Sequence, residues 1–282
     1  MQKGDGSVSR TKDLDLDYQA YLKENASDPD KIHRGPEARQ KRREAVLHNK
    51  RGVAYANKGD YDLAVEAFTN AIALNPNLAM AYSNRGGAYR DKGNYDRAIE
   101  DCTRAIELNP DLAMAYNNRG GAYERKGDYG RAIADLSKAI TFKPDLAEAY
   151  GNRGGAYANI GNYDRAIIDY TNAITLNSNV AQSYNNRGVA HYKKRDYDRA
   201  IADYTKAIER KPDFAEAYYN RAEAWLHLGE WENAKSNLTV AVTMGLNIIQ
   251  GFRNEYASVS DFEQRNGVKL PADLAAMLTF PQ

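Results

Sequence analysis

Four histidines, one cysteine and many carboxylates are the side chains in this sequence that could do chemistry, and their spacing argues against it. His33, His48, His191 and His227 form no metal-ligand spacing with one another or with Cys102. A single cysteine rules out an intramolecular disulfide, and Cys102 falls in a helical apolar stripe where a packed thiol is expected rather than a nucleophile. Ser83 and Ser183 have no histidine at a position that would activate them. The Gly-Gly pairs of the NRGGAY runs lie within a helical pattern, so they cannot cradle a phosphate as a loop does. Carboxylates fall at helix caps and on solvated faces. No enzyme activity, metal or cofactor is expected.

A different chemistry recurs. Asn84, Asn118, Asn152, Asn186 and Asn220 stand 34 residues apart. A carboxamide both donates and accepts, which suits peptide backbone whatever side chains that peptide carries. Arg51, Arg85, Arg119, Arg153, Arg187 and Arg221 follow the asparagine register by one residue. A buried guanidinium needs a partner, and Asp101, Asp135, Asp169 and Asp203 share the same period. Pairing within one repeat and pairing with the preceding one both fit that spacing.

The elements that must position these groups are six consecutive units of 34 residues: 45–78, 79–112, 113–146, 147–180, 181–214 and 215–248. Counting each unit from 1, positions 4, 7, 8 and 11 share one side of a helix, with tyrosine at 4 (Tyr82, Tyr116, Tyr150, Tyr184, Tyr218) and at 11 (Tyr55, Tyr89, Tyr123, Tyr157). Position 8 is glycine until Ala222, small enough for another helix to come close. Gly59, Gly93, Gly127, Gly161 and Gly229 at position 15 suit a left-handed helix end, and Asp60, Asn94, Asp128, Asn162 and Asp196 follow as N-caps. A second helix carries alanine at 20 and 27, and Pro76, Pro110, Pro144 and Pro212 stop it. Ser178 replaces the fourth of these prolines, and Arg195 occupies one glycine position.

Small residues at 8, 20 and 27, aromatics at 4, 11 and 17, and proline at 32 resemble the tetratricopeptide repeat (TPR) family. The resemblance implies an all-α, right-handed superhelical solenoid of helix-turn-helix repeats whose first helices line a concave groove. Such a groove is commonly used to hold an extended peptide or a partner helix. No single repeat buries its own apolar face, so the array folds by stacking and its ends need caps. In this frame the asparagines take position 6, opposite the packed side of the first helix, an array similar to that in the repeat domain of O-GlcNAc transferase. Met80, Met114, Arg125 and Lys193 lie beside them at positions 2 and 13 and would tune specificity. The carboxylate clamp of heat-shock co-chaperones, in contrast, is matched at one position of five: Asn84 fits, whereas Asn49, Val53, Met114 and Asn118 do not.

Residues 1–44 read as a polar tail and a leading helix, with Leu14, Tyr18, Tyr21 and Leu22 at helical spacing and Pro36 at a helix start. Residues 249–282 read as capping helices, the last beginning at the LPADLAAML stretch, with Phe262, Leu274, Met277 and Leu278 as a cap or a docking element. The 39 basic and 38 acidic residues balance to +1, giving no field to attract nucleic acid, and Glu37 and Glu44 interrupt the basic cluster of Arg39, Lys41, Arg42 and Arg43. No apolar run is long enough to span a bilayer, and no secretory signal is seen, so a cytoplasmic location is expected. The reading is a scaffold whose partner is a protein or peptide. Self-assembly through the terminal caps and a regulatory subunit of an enzyme complex are the alternatives.

Overall fold

The computed structural model describes residues 36–279, and every regular element among them is an α-helix. Contacts divide the chain into two compact units meeting between Lys126 and Gly127. The first holds α1 (Pro36–Lys58), α2 (Tyr61–Leu74), α3 (Ala79–Asp91), α4 (Tyr95–Leu108) and α5 (Ala113–Arg125). The second holds α6 (Tyr129–Phe142), α7 (Ala147–Asn159), α8 (Tyr163–Leu176), α9 (Ala181–Lys193), α10 (Tyr197–Arg210), α11 (Ala215–Leu228), α12 (Trp231–Thr243), α13 (Ile248–Glu255), α14 (Val259–Asn266) and α15 (Ala272–Met277). Leu14, Tyr18, Tyr21 and Leu22 lie outside the described residues.

The helical hairpins arise from local chemistry. At the ends of first helices the backbone turns left-handed at Gly59, Gly93, Gly127, Gly161 and Gly229, with φ between 72° and 83°. Arg195 takes the same conformation at φ 61°, and among the described residues no other non-glycine has a positive φ. A Cβ there costs about 1 kcal/mol against glycine. Asn94, Asp128, Asn162 and Asp196 then cap the following helix, each side chain accepting from the backbone N–H three residues on. Asp60 makes no such bond. Proline is not required for termination: α8 ends at Leu176 ahead of Ser178, the register at which α2 and α4 end ahead of Pro76 and Pro110.

Glycine at position 8 has a steric cause. A Cβ on Gly52 would lie 2.5 Å from the Phe68 ring, and one on Gly86 the same distance from the Cys102 sulfur. In the second unit Gly154 faces Tyr170 and Gly188 faces Tyr204 at 2.9 and 2.7 Å. The residue facing position 8 thus comes from position 24 of the same repeat. Cys102 is wholly buried in this role, which leaves it a packing thiol.

Beyond α12 the chain folds back on its last repeat. Tyr219, Leu226, Leu238, Phe252, Tyr256, Phe262, Leu270, Leu274 and Leu278 form one buried cluster, with Trp225, Trp231 and Met277 packed against it. Ser258 caps α14 and Gly267 ends it in the left-handed region. Burying Phe262, Leu274 and Leu278 there contributes about 1.5–3 kcal/mol for each side chain.

Candidate interaction face

Arginine at position 7 fixes how each hairpin presents its first helix. In the first unit Arg85 makes two bonds to Asp101, Nε to Oδ2 at 2.7 Å and an Nη to Oδ1 at 2.8 Å, within its own repeat. Its other Nη donates to Thr69 Oγ1 of the preceding repeat at 3.0 Å. Arg119 reaches Thr103 in the same way. In the second unit Arg153 pairs with Asp169 and donates to Ser137, and Arg187 pairs with Asp203 and donates to Thr171. The pairing left open by the spacing is therefore resolved for these three: the carboxylate is internal to the repeat, and a hydroxyl links the next.

The paired carboxylates raise the affinity of Arg85, Arg153 and Arg187 for their protons, against the opposing effect of burial. Arg221 meets Asn237 in place of an aspartate at 2.9 Å, and burial lowers its pKa. Each guanidinium also covers the tyrosine three residues earlier, Arg85 over Tyr82 and Arg153 over Tyr150, both 5.7 Å from the ring centroid.

The position 6 asparagines stand one residue before these arginines on the same first helices, about 100° further around the helix. In the first unit Asn84 Nδ2 donates to Asn49 Oδ1 of the preceding repeat at 3.1 Å. Asn118 is buried, its Nδ2 donating to the Ser83 carbonyl at 3.0 Å and its Oδ1 accepting from Arg90 at 3.3 Å. In the second unit Asn220 Nδ2 donates to Asn185 Oδ1 at 3.0 Å, and Asn186 Oδ1 accepts from Gln182 at 2.8 Å. Asn152 is half-buried on α7. Among the described residues no donor is bonded to Oδ1 of Asn84 or Asn220.

Met80 is half-buried and packs against the Leu78 cluster, and Met114 is half-buried on α5. Arg125 is exposed, 3.6 Å from Glu124. Lys193 is engaged by Glu255 of α13 at 3.2 Å and covers the Tyr192 ring, so the helix after the last repeat already lies against this face. The partners at position 5, Asn49 and Asn185, were missed from sequence although both are buried. Their signal was available: Asn49, Ser83, Asn117 and Asn185 are all polar at a position that half faces the neighbouring repeat.

Around α13 the second unit holds the half-buried Glu223, whose carboxyl is strongly shifted. Glu223 takes position 9 of the last repeat, where Gly155 and Val189 stand in the two before it. Tyr219 donates its hydroxyl to Glu223 at 2.6 Å. Burial pushes the Glu223 carboxyl up to about 8, opposed by the Tyr219 bond and the Lys193 charge and reinforced by Glu255. Next to it His227 Nε2 lies 2.9 Å from the Tyr192 hydroxyl and 3.0 Å from that of Tyr256, and its ring stacks on Tyr197 at 4.6 Å. Burial lowers the His227 pKa, opposed by the Glu255 charge. This is an aromatic and hydrogen-bonded floor beneath α13. Among the described residues no three potential ligands are grouped to hold a metal ion, and no helix is long and apolar enough to cross a membrane.

The sequence matches tetratricopeptide repeat models at 45–78, 79–112, 147–180 and 181–214, at 102–134 and 203–236, and a TPR repeat model at 123–161. Among curated proteins nothing matches. Of solved structures, a chain of the APC/C hetero-tetramer Cut9-Hcn1 is 20% identical with a TM-score of 0.67, over 72% of this chain and 41% of that one. Pseudomonas aeruginosa pilF is 19% identical with a TM-score of 0.66, over 77% of this chain and 99% of that one. YrrB, described as a TPR protein with an unusual peptide-binding site, is 24% identical with a TM-score of 0.53, over 64% of this chain and 93% of that one. At these identities the likeness is one of fold.

Proposed function

The chain belongs to the tetratricopeptide repeat family, and we propose that it acts as a non-catalytic scaffold that holds an extended peptide segment of a partner protein along the first-helix faces. The fold is that of protein–protein interaction scaffolds in general. The observation that carries the finer reading is the tethered carboxamide. Asn84 and Asn220 are each held through Nδ2 by an asparagine of the preceding repeat, so the amide plane is fixed before any ligand arrives. An oriented Oδ1 then accepts a peptide N–H without a further loss of side-chain entropy. Asn152 and Asn186 extend the same register in the second unit, with Met80 and Met114 supplying adaptable apolar contact in the first. Arg125 and Lys193 add charge at the edges. A peptide-binding site in YrrB is in keeping with this reading.

The test is selection of peptides from a random display library on the full chain, followed by calorimetric titration of a selected peptide. Replacing Asn84, Asn152 and Asn186 together with alanine is expected to weaken binding at least about tenfold, roughly 1.4 kcal/mol, for the loss of several net hydrogen bonds. Undiminished affinity in a triple variant that still melts cooperatively refutes the ladder.

A further inference from the structure

One set of contacts recurs where a second helix meets the first helix of the following repeat. In the first unit Ala88 at position 10 packs with Ala64 and Phe68 of α2, Arg85 at position 7 donates to Thr69, and Lys92 at position 14 pairs with Asp62. Arg119 and Lys126 repeat the last two contacts with Thr103 and Asp96 of α4. In the second unit Ala190 packs with Ala166 and Tyr170, Arg187 donates to Thr171 and Lys194 pairs with Asp164. The second helix thus offers one pattern: aspartate, alanine two residues on, an apolar side chain or ring four beyond that, and threonine next to it. Asp62, Ala64, Phe68 and Thr69 carry it in α2, and Asp164, Ala166, Tyr170 and Thr171 in α8.

The receiving half of this pattern stands open on α1. Its positions 7, 10 and 14 are Arg51, Ala54 and Lys58, all exposed, whereas Ala88, Ala122, Ala156, Ala190 and Ala224 at position 10 are at most 3% exposed. The same helical side continues upstream through Leu47, 57% exposed, and then Arg43 and Gln40, so the open stripe rises about 27 Å from Gln40 to Lys58. Arg43, Arg51 and Lys58 make it basic, with Glu44 at its border accepting from Gln40. Arg51 also lacks the carboxylate that holds Arg85, because position 23 of the first repeat is Ala67.

We propose that this stripe docks an acidic amphipathic helix of a partner protein, one that carries the aspartate, alanine, apolar and threonine spacing of a second helix. Its aspartate meets Lys58, its threonine accepts from Arg51 and its apolar side chain covers Ala54. Asp62 lies against Lys92 and Thr69 against Arg85, so the two helices of such a junction run antiparallel. The partner chain beyond its threonine therefore runs towards Leu47 and Arg43, where an apolar residue followed by a carboxylate fits. The negative end of the partner helix then also falls near Arg43. This surface lies off the position 6 register, and its occupation does not depend on what the asparagine ladder holds.

The probe is a synthetic peptide of residues 60–75, DYDLAVEAFTNAIALN, which carries the pattern with three carboxylates and no cation. Acetylated, amidated and labelled with a fluorophore, it is titrated into the full chain and followed by anisotropy. Saturable binding is expected, weakened at least about tenfold when the chain carries Arg51→Glu and Lys58→Glu. Both side chains are exposed, so the variant should keep the parent's melting curve. The peptide with Asp62→Lys tests the same contact on the unaltered chain: it should bind at least about tenfold more weakly there and regain part of the loss on Lys58→Glu. No saturable binding at about 1 mM peptide overturns the proposal. Equal binding by the charge-reversed chain also overturns it, as does equal binding of a scrambled peptide of the same composition, which would leave charge alone. Retention of the chain on phosphatidylserine vesicles without peptide binding would replace the partner helix with a lipid surface.

Discussion

Replacing Glu223 with glutamine should make the second unit more resistant to alkaline pH, by an amount that the burial of this carboxyl sets. Its folded pKa is raised to about 8 from an ordinary 4.5, with burial the first cause. Between those two values the unfolded chain loses the proton while the folded chain keeps it. Stability therefore falls as pH rises through this window and levels off above it. At about 1.4 kcal/mol per pH unit, the full penalty approaches about 5 kcal/mol, of which up to about 4 kcal/mol develops between pH 5 and pH 9. Glutamine cannot ionise, yet its Oε1 can still accept from the Tyr219 hydroxyl as the Glu223 carboxyl oxygen does. Trp225 and Trp231 both pack against the neighbouring cluster, so their fluorescence reports urea unfolding of this region. The stability difference between E223Q and the parent should be small at pH 5 and grow steadily towards pH 9. A difference that stays constant across that range would refute the reasoning, since only a titrating Glu223 makes it vary.

Three further outcomes follow from the packing. Arg195→Gly relieves a left-handed Cβ and should stabilise the chain by about 1 kcal/mol, read as a rise in Tm. Removing residues 258–282 strips Phe262, Leu274 and Leu278 from the last repeat and should lower the Tm or bring on aggregation; an unchanged melting curve would show that these residues are not a cap. Asp169→Ala leaves the Arg153 guanidinium without its bidentate partner and should cost about 3 kcal/mol in chemical denaturation, whereas an effect below about 1 kcal/mol would mean that solvent replaces the carboxylate.

Helix starts and stops were legible because single residues fix them: Gly93 turns left-handed, Asn94 caps, and Ser258 and Gly267 bound α14 as their types require. The side of each first helix that packs was legible from tyrosine and glycine at one helical phase. What could not be read was which of two carboxylates an arginine would choose, since for Arg153 Asp169 lies 16 residues ahead and Asp135 18 behind, and only the packing of the helices separates such similar distances. Nor could the asparagine ladder's tethers be read. Asn84 and Asn49 lie in different repeats, and only the stacking distance brings Nδ2 to 3.1 Å from its acceptor. The Glu223 floor escaped for a related reason: its burial depends on α13 folding back, and nothing local to position 9 announces a covering helix.

The match between positions 8 and 24 bears on how such a chain can grow. Gly154 admits Tyr170 and Gly188 admits Tyr204, and where position 8 becomes Ala222 the facing residue is the shorter Leu238. Both halves of each fit lie inside one 34-residue unit, as do the aspartates that hold Arg153 and Arg187. What passes between repeats also recurs: alanine surfaces, asparagine bonds such as Asn84 to Asn49 and Asn220 to Asn185, and a hydroxyl at Thr69, Thr103, Ser137, Thr171 or Thr205 that accepts from the next arginine. A copied unit thus brings its own volume compensation with it and meets its neighbours through a common socket. Lengthening the array by whole repeats is sterically silent, whereas exchanging a single second helix between repeats is not: Tyr170 set opposite Ala222 would meet a methyl group where its ring needs open space.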